Sequence, residues 1–304
     1  MVRRYSSHRN TAKDPLRRRF ASGQLKSYPR WFFESRDLVL AERLLPEVSE
    51  EAGDSTTTAY EQLLRDPEYS KYDERIVEYS WLLLKLARLS AAARRNLLDV
   101  GCVLNHQVIA GYIADMVDMV WFMNPAPEQL AYNNYAAYIL GDVRTHRLPM
   151  GLRFDVITCL STLEHVGMDT PRYGAPGGEI NPYPEQPQNN AVEALQSMYE
   201  LLRPGGVMLL SVPYGPFEYL YDYGGALPIY YTLDHSRLQH LLDCLAHEKP
   251  AVSLEIYKVV PGRRWARTVP DDDQIPRYAV GCAAAGAVAL AEVVRCQTLA
   301  ETNE

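Results

Sequence analysis

The sequence predicts an α/β fold, a doubly wound and mostly parallel sheet preceded by an N-terminal helical arm, on three observations. Apolar, β-branched runs of strand length recur at 96–100, 119–123, 136–140, 154–159 and 207–212, with helical or loop segments between them. Weaker strand candidates at 252–259 and 286–294 raise the number to seven. The first run, Asn96-Leu-Leu-Asp-Val-Gly-Cys-Val-Leu-Asn105, ends in Asp-x-Gly and feeds a helix, the pattern of a nucleotide-binding strand-turn-helix. Strands alternating with helices argue for a parallel sheet covered on both faces.

Taken in chain order, residues 1–58 read as a basic arm. The first 30 residues hold nine Lys or Arg and one Asp, so that with −7 for the whole chain the remainder carries −15. Opposite signs favour an arm folded onto its own acidic body over one that binds nucleic acid, an anionic membrane or an acidic partner. A homo-oligomer formed through the arm is one arrangement this composition allows. Residues 73–93 carry apolar side chains at Ile76, Val77, Leu83, Leu84, Leu86 and Ala87, the spacing of an amphipathic helix leading into the first strand. A second helix over 189–202 stops at Arg203-Pro-Gly-Gly206. Between the fourth and fifth strands the stretch 167–188, rich in Pro, Gly, Asn and Tyr, is too long for an ordinary connection and reads as a lid-like insertion.

Composition limits the function. Hydrophobic residues at 47% and charged residues at 23% are ordinary for a soluble globular domain with a full core. The five cysteines form no Cys-x-x-Cys pair, so neither a disulfide framework nor a zinc site is indicated and a reducing cytoplasm fits best. The stretch Ala279 to Val294 is too short and too alanine-rich to span a bilayer, which argues against a membrane partner. The acidic body argues against a long phosphate track, hence against nucleic acid.

At the turn, Gly101 lets backbone approach a ligand, while Val103 and Asn105 stand where a dinucleotide loop would carry further glycines. Together, Leu97-Leu-Asp-Val-Gly101, Gly141-Asp142, Phe154-Asp-Val-Ile-Thr-Cys-Leu-Ser-Thr-Leu-Glu-His-Val-Gly167 and Leu201-Leu-Arg-Pro-Gly-Gly-Val-Met-Leu-Leu-Ser-Val-Pro213 resemble, in order and spacing, the motifs of class I S-adenosylmethionine-dependent methyltransferases. Arg75-Ile-Val-Glu-Tyr-Ser-Trp81 and Ser161-Thr-Leu-Glu-His-Val-Gly167 are similar to small methyltransferases of surface-polysaccharide and natural-product pathways. The resemblance implies a seven-stranded Rossmann-like domain over 59–304, with S-adenosyl-L-methionine as cofactor and a small-molecule substrate.

The resemblance also implies site residues. Arg75, Tyr79, Asp99, Gly101, Asn105, Asn124, Asp142, Cys159 and Ser161 would form the cofactor site, with Asn124 standing where relatives often place an acid for the ribose hydroxyls. On position alone, Arg75 and Glu78 at i and i+3 make a plain surface ion pair. His165, Glu164 and His235 are the catalytic candidates, His165 foremost, because it follows the fourth strand at the ligand-binding edge and an imidazole titrates near working pH. Arg172, Tyr173, Tyr214 and Tyr230 would meet the substrate. A metal held by Glu164, His165 and Asp169 is the less favoured reading, and no metal is expected. The function expected is O-methylation of a small, polar, hydroxylated molecule. The rivals are a degenerate methyltransferase fold kept as a binding scaffold, and a methyltransferase acting on nucleic acid or protein.

Overall fold

The computed structural model describes residues 30–44, 72–132, 135–146, 148–149, 151–168, 187–221, 228–260, 264–270, 275 and 286–296. The arm apart from 30–44, most of the 167–188 stretch with Asp169, Arg172 and Tyr173, and the Asp271–Asp273 run lie outside the described residues.

Helix α1 spans Arg30–Val39 and continues as a π-helical turn, Leu40–Leu44. Helix α2, Arg75–Arg88, buries Ile76, Val77, Leu82, Leu83 and Leu86 on its apolar face and has Lys85 and Arg88 in its last turn, where cations complement the helix dipole. It ends when Leu89 turns extended, earlier than the 73–93 pattern suggests, because Ala91–Arg94 tightens into a 3₁₀ turn before the first strand. Strand β1, Asn96–Val100, is followed by α3, Gln107–Met116, whose N-cap His106 accepts from the Val108 amide. Strands β2, Met119–Asn124, β3, Ala136–Leu140, and β4, Phe154–Leu160, come next, then α4, Pro187–Leu201. All seven β4 residues are buried, as expected of a strand covered on both faces.

Strand β5 runs Leu202–Tyr214 and takes in the whole Arg203-Pro-Gly-Gly206 segment that the sequence read as a helix stop. The backbone there is held in the sheet by the Gly205 amide donating to the Arg295 carbonyl and the Arg295 amide to that of Gly206, both at 2.9 Å. A side chain at Gly206 would sit 2.9 Å from the Arg203 carbonyl oxygen and 3.0 Å from that of Asp155, so the close approach needs glycine. A hairpin of β6, Tyr219–Tyr221, and β7, Pro228–Tyr231, leads to α5, His235–Asp243, capped by the Asp234 carboxylate accepting from the Arg237 amide. Strand β8, Ala251–Val260, is followed by β9, Arg264–Thr268, and β10, Ala287–Val294.

The main sheet has the order β3-β2-β1-β4-β5-β10-β8-β9. Neighbours from β3 to β5 are parallel, whereas β10 pairs antiparallel with both β5 and β8, and β9 antiparallel with β8. Among the described residues the sheet therefore has eight strands rather than seven. The extra one, β9, buries Trp265 but leaves Arg267 exposed two residues on, and its arginines hide a short strand from a hydrophobicity reading. Successive strand residues point to opposite faces: Leu97, Val120 and Val156 join the core with α1, α2 and α3, and Leu98, Ile157 and Cys159 join the core with α4 and α5. Strand order reverses between β1 and β4, which opens a crevice at their carboxyl ends. No helix among the described residues is long and apolar enough to cross a membrane.

Candidate active site

A cleft of about 280 Å³ lies at that crevice. Its wall includes Arg75, Gly101, Asn124, Glu128, Asp142, Ser161, Thr162 and His165. The β1 turn forms its floor. Gly101 has φ +96° and donates its amide to the Met123 carbonyl at 2.9 Å. A Cβ on Gly101 would stand 2.2 Å from Thr162 Oγ1, so a side chain here collides with the protein's own β4 loop rather than with a ligand. Asp99 braces the turn from beneath: Oδ2 accepts from the Leu104 amide at 2.8 Å and Oδ1 from the Thr158 hydroxyl at 2.7 Å. Burial raises its carboxyl to about 7.

At the inner end Arg75 and Glu78, which spacing alone reads as a surface pair, are instead part of a buried network. Glu78 is fully buried; Arg75 Nη1 donates to Oε2 at 2.5 Å, and the Ser161 and Ser211 hydroxyls donate to Oε1 at 2.5 and 2.6 Å. The Arg75 side chain stays 21% exposed, facing the cleft. Ser161 takes a left-handed φ of +37°, held by its amide donating to Ser211. Such strain in a non-glycine residue persists only where surrounding bonds fix it.

The outer end is built from a loop. Asn124 Nδ2 donates to Glu128 Oε1 at 2.8 Å, and Asn105 Nδ2 reaches Oε2 at 3.3 Å and the Gln129 carbonyl at 2.9 Å. Glu128 thus supplies a carboxylate beside Asn124, in the region where the sequence showed only an amide. The signal that could have found it is the Pro125-Ala-Pro-Glu128 run, whose prolines fold the loop back towards the strand end. Beyond it Asp142 is gripped by Arg144, with Nη2 donating to Oδ2 at 2.6 Å. Although burial opposes it, this pairing holds the Asp142 carboxyl below its ordinary value.

His165 ends a 3₁₀ turn, Leu163–His165, directly after β4. It is on the cleft wall, its ring 5.4 Å from that of Tyr230 and its Nε2 3.8 Å from Glu164 Oε1. Glu164 itself is 2% exposed and off the cleft wall, with Oε2 unpartnered, and burial pushes its carboxyl well above the usual range.

Other expected positions fall elsewhere. Cys159 alternates to the α4 and α5 face, fully buried. Tyr79 is buried, and its hydroxyl donates to the Val103 carbonyl at 3.1 Å. The Asn105 side chain is spent on Glu128, Gln129 and the Ala131 amide. Asp99, Tyr79, Asn105 and Cys159 therefore lie behind the wall. His235 begins α5, exposed, and off the wall; Tyr214 is fully buried in β5. Among the described residues no group of three or more His, Cys, Asp or Glu is arranged to hold a metal ion.

A family profile described as a methyltransferase domain matches residues 74–253, more than half of the chain. The chain belongs to this methyltransferase family. S-adenosylmethionine is its cofactor. No curated protein matches the methyltransferase. Among solved structures it is similar to the N-methyltransferase NodS of Bradyrhizobium japonicum WM9 in complex with S-adenosyl-L-homocysteine, at 12% identity over 84% of this chain and 99% of that one, with a TM-score of 0.43. It is also similar to CalS10, an amino pentose methyltransferase of Micromonospora echinaspora involved in calicheamicin biosynthesis, at 16% identity over 83% and 96%, with a TM-score of 0.41.

The residues present in the methyltransferase fit the cofactor. One guanidinium at the inner end suits a carboxylate, a carboxylate further out suits vicinal hydroxyls, and Asp142 beside Met123 and Val143 suits a flat base with an exocyclic amine.

Proposed function

We propose that the protein transfers a methyl group to a hydroxyl of a small, polar acceptor such as a sugar or a hydroxylated natural product, with His165 as general base. The observation that supports it is the placement of His165 on the cleft wall just after β4, with Tyr230 flanking its ring and buried Glu164 behind. In the same reading Arg75 receives the cofactor carboxylate, Glu128 the ribose hydroxyls and Asp142 the adenine amine.

The cofactor supplies an electrophilic methyl on a sulfonium sulfur, so the C–S bond breaks as the C–O bond forms. Alignment contributes most in such a displacement. The acceptor proton passes to the imidazole of His165, so the hydroxyl attacks as it loses its proton. Tyr230 limits the ring's freedom. Arg75, held by Glu78, would anchor the inner end of the bound cofactor.

His165→Ala should lower kcat by roughly 10²–10⁴-fold, while the Kd for S-adenosylhomocysteine changes little. An imidazole base of ordinary pKa should give a rate that rises through about pH 6–7. Near-normal turnover in the variant, with chemistry rate-limiting and a flat pH profile, would remove His165 from the role.

A further inference from the structure

Helix α1 reaches the inner end of the cleft through charge. Arg36 is 7% exposed, and its Nη1 donates to Asp73 Oδ2 at 2.8 Å, a contact buried on both sides. Its Nε and Nη2 donate to Asp37 Oδ1 at 3.1 and 2.9 Å, and Asp37 Oδ2 in turn lies 3.4 Å from His106 Nε2 at the α3 N-cap. The neighbouring Ser35 and Tyr72 hydroxyls bond at 2.6 Å, and Leu40 is fully buried in the core with α2, so α1 is seated on the body.

Asp73 stands two residues before Arg75. The segment from Asp73 to Glu78 therefore gathers three buried acidic side chains, Asp73, Glu74 and Glu78, about Arg75, the guanidinium that faces the cleft among the described residues. Glu78 is satisfied by Arg75 and two hydroxyls. Asp73 Oδ1 and Glu74 Oε2, by contrast, are buried with no hydrogen-bond partner. A buried carboxylate left without a counter-charge strongly attracts the nearest cation, and here that cation is Arg75.

We propose that Arg36 is a positioning residue for the cofactor: by pairing with Asp73 from α1, it leaves the Arg75 guanidinium on Glu78 and facing the cleft. The proposal rests on the reading of Arg75 as the cofactor-carboxylate contact. It makes α1 a structural part of the binding site although Arg36 touches no cofactor atom. It also makes the two partners unequal, because the damage comes from the stranded Asp73 rather than from the lost bond.

The test is calorimetric titration of S-adenosylhomocysteine into the full-length chain, with the melting temperature followed alongside. Arg75→Ala comes first. If it leaves the affinity unchanged, the reading of Arg75 fails, and the proposal with it. Given a loss there, Arg36→Ala should weaken binding roughly tenfold, the scale of a charged hydrogen bond misdirected. Asp73→Asn should stay within about twofold of the parent, and Arg36→Ala combined with Asp73→Asn should return to within about threefold, because the carboxylate that Arg36 neutralises is gone together with it. A plain structural latch would instead weaken binding equally from either side and gain nothing from the combination. Equal losses in the two single variants, a double variant as weak as Arg36→Ala, or an unchanged Kd in Arg36→Ala would each overturn the proposal. Should Arg36→Ala fail to fold, the double variant, which buries no uncompensated charge, decides alone: parental affinity supports the proposal and a tenfold loss overturns it.

Discussion

At the inner end of the cleft Glu78 is fully buried and bonded by Arg75, Ser161 and Ser211, whereas at the outer end Glu128 reaches in from a loop, steered by the amides of Asn124 and Asn105. The first carboxylate is fixed by two strand ends and a helix, out of reach of solvent. The second is held by contacts exposed to water, where charge is screened. The difference teaches that the cleft is rigid where the reactive end of the ligand would lie and adaptable further out, so equal chemical changes at the two ends should have unequal effects.

The largest effect is expected at Glu78. Glu78→Ala strands a guanidinium and two hydroxyls, and should cost about 3–5 kcal/mol of stability together with most cofactor affinity. Denaturant unfolding of the variant measures the first and calorimetry the second; a loss under about 1 kcal/mol would put Glu78 on the same footing as a surface pair.

Next comes Glu74, close to Glu78 in chain and in charge. Burial, with Asp73 and Glu78 adding to it, raises its carboxyl to about 8. A folded state that holds the proton is favoured most below the ordinary carboxyl range, and the advantage is lost as pH rises through about 8. Glu74→Gln carries no proton to lose, so it should melt near the parent at pH 5 and several degrees above it at pH 9. Parallel melting curves across that range would show that Glu74 is ionised in the folded protein.

Glu128→Gln is expected to weaken S-adenosylhomocysteine roughly five- to tenfold, with a salt dependence that Glu78 variants lack, because an exposed carboxylate is screened and a buried one is not. The smallest effect belongs to Asp142→Ala, about 0.5–1.5 kcal/mol for one hydrogen bond to a neutral base. A thousandfold loss there would mean that the Asp142–Arg144 pair shapes the whole outer wall.

The two ends also differ in how far they were legible. Strands at 96–100 and 136–140 were readable to the residue, because continuous apolar runs between turn residues leave little choice of boundary. The same continuity hid direction. In β4 every residue is buried, so nothing in the run says that Cys159 faces α4 while Thr158 faces Asp99. Glu128 was missed because its place depends on how a loop of two prolines folds back, and helix spacing made Glu78 look like a surface residue although two serines far along the chain, Ser161 just after β4 and Ser211 in β5, converge on it. Strand β9 was missed for its arginines, and the Pro-Gly-Gly segment of β5 was read as a break because the backbone bonds that hold it come from Arg295, 90 residues away.

Strand β10 carries a consequence for how the chain is made. It lies between β5 and β8 and pairs along eight residues with each, yet it follows both in the chain. As the chain leaves the ribosome, β5 and β8 must wait with facing edges open, and each is long and rich in apolar residues, the kind of edge that recruits other chains. The sheet can be completed only once residues 287–294 have emerged. A nascent chain that stalls before Ala287 therefore presents two open strand edges, the kind of template on which aggregation starts.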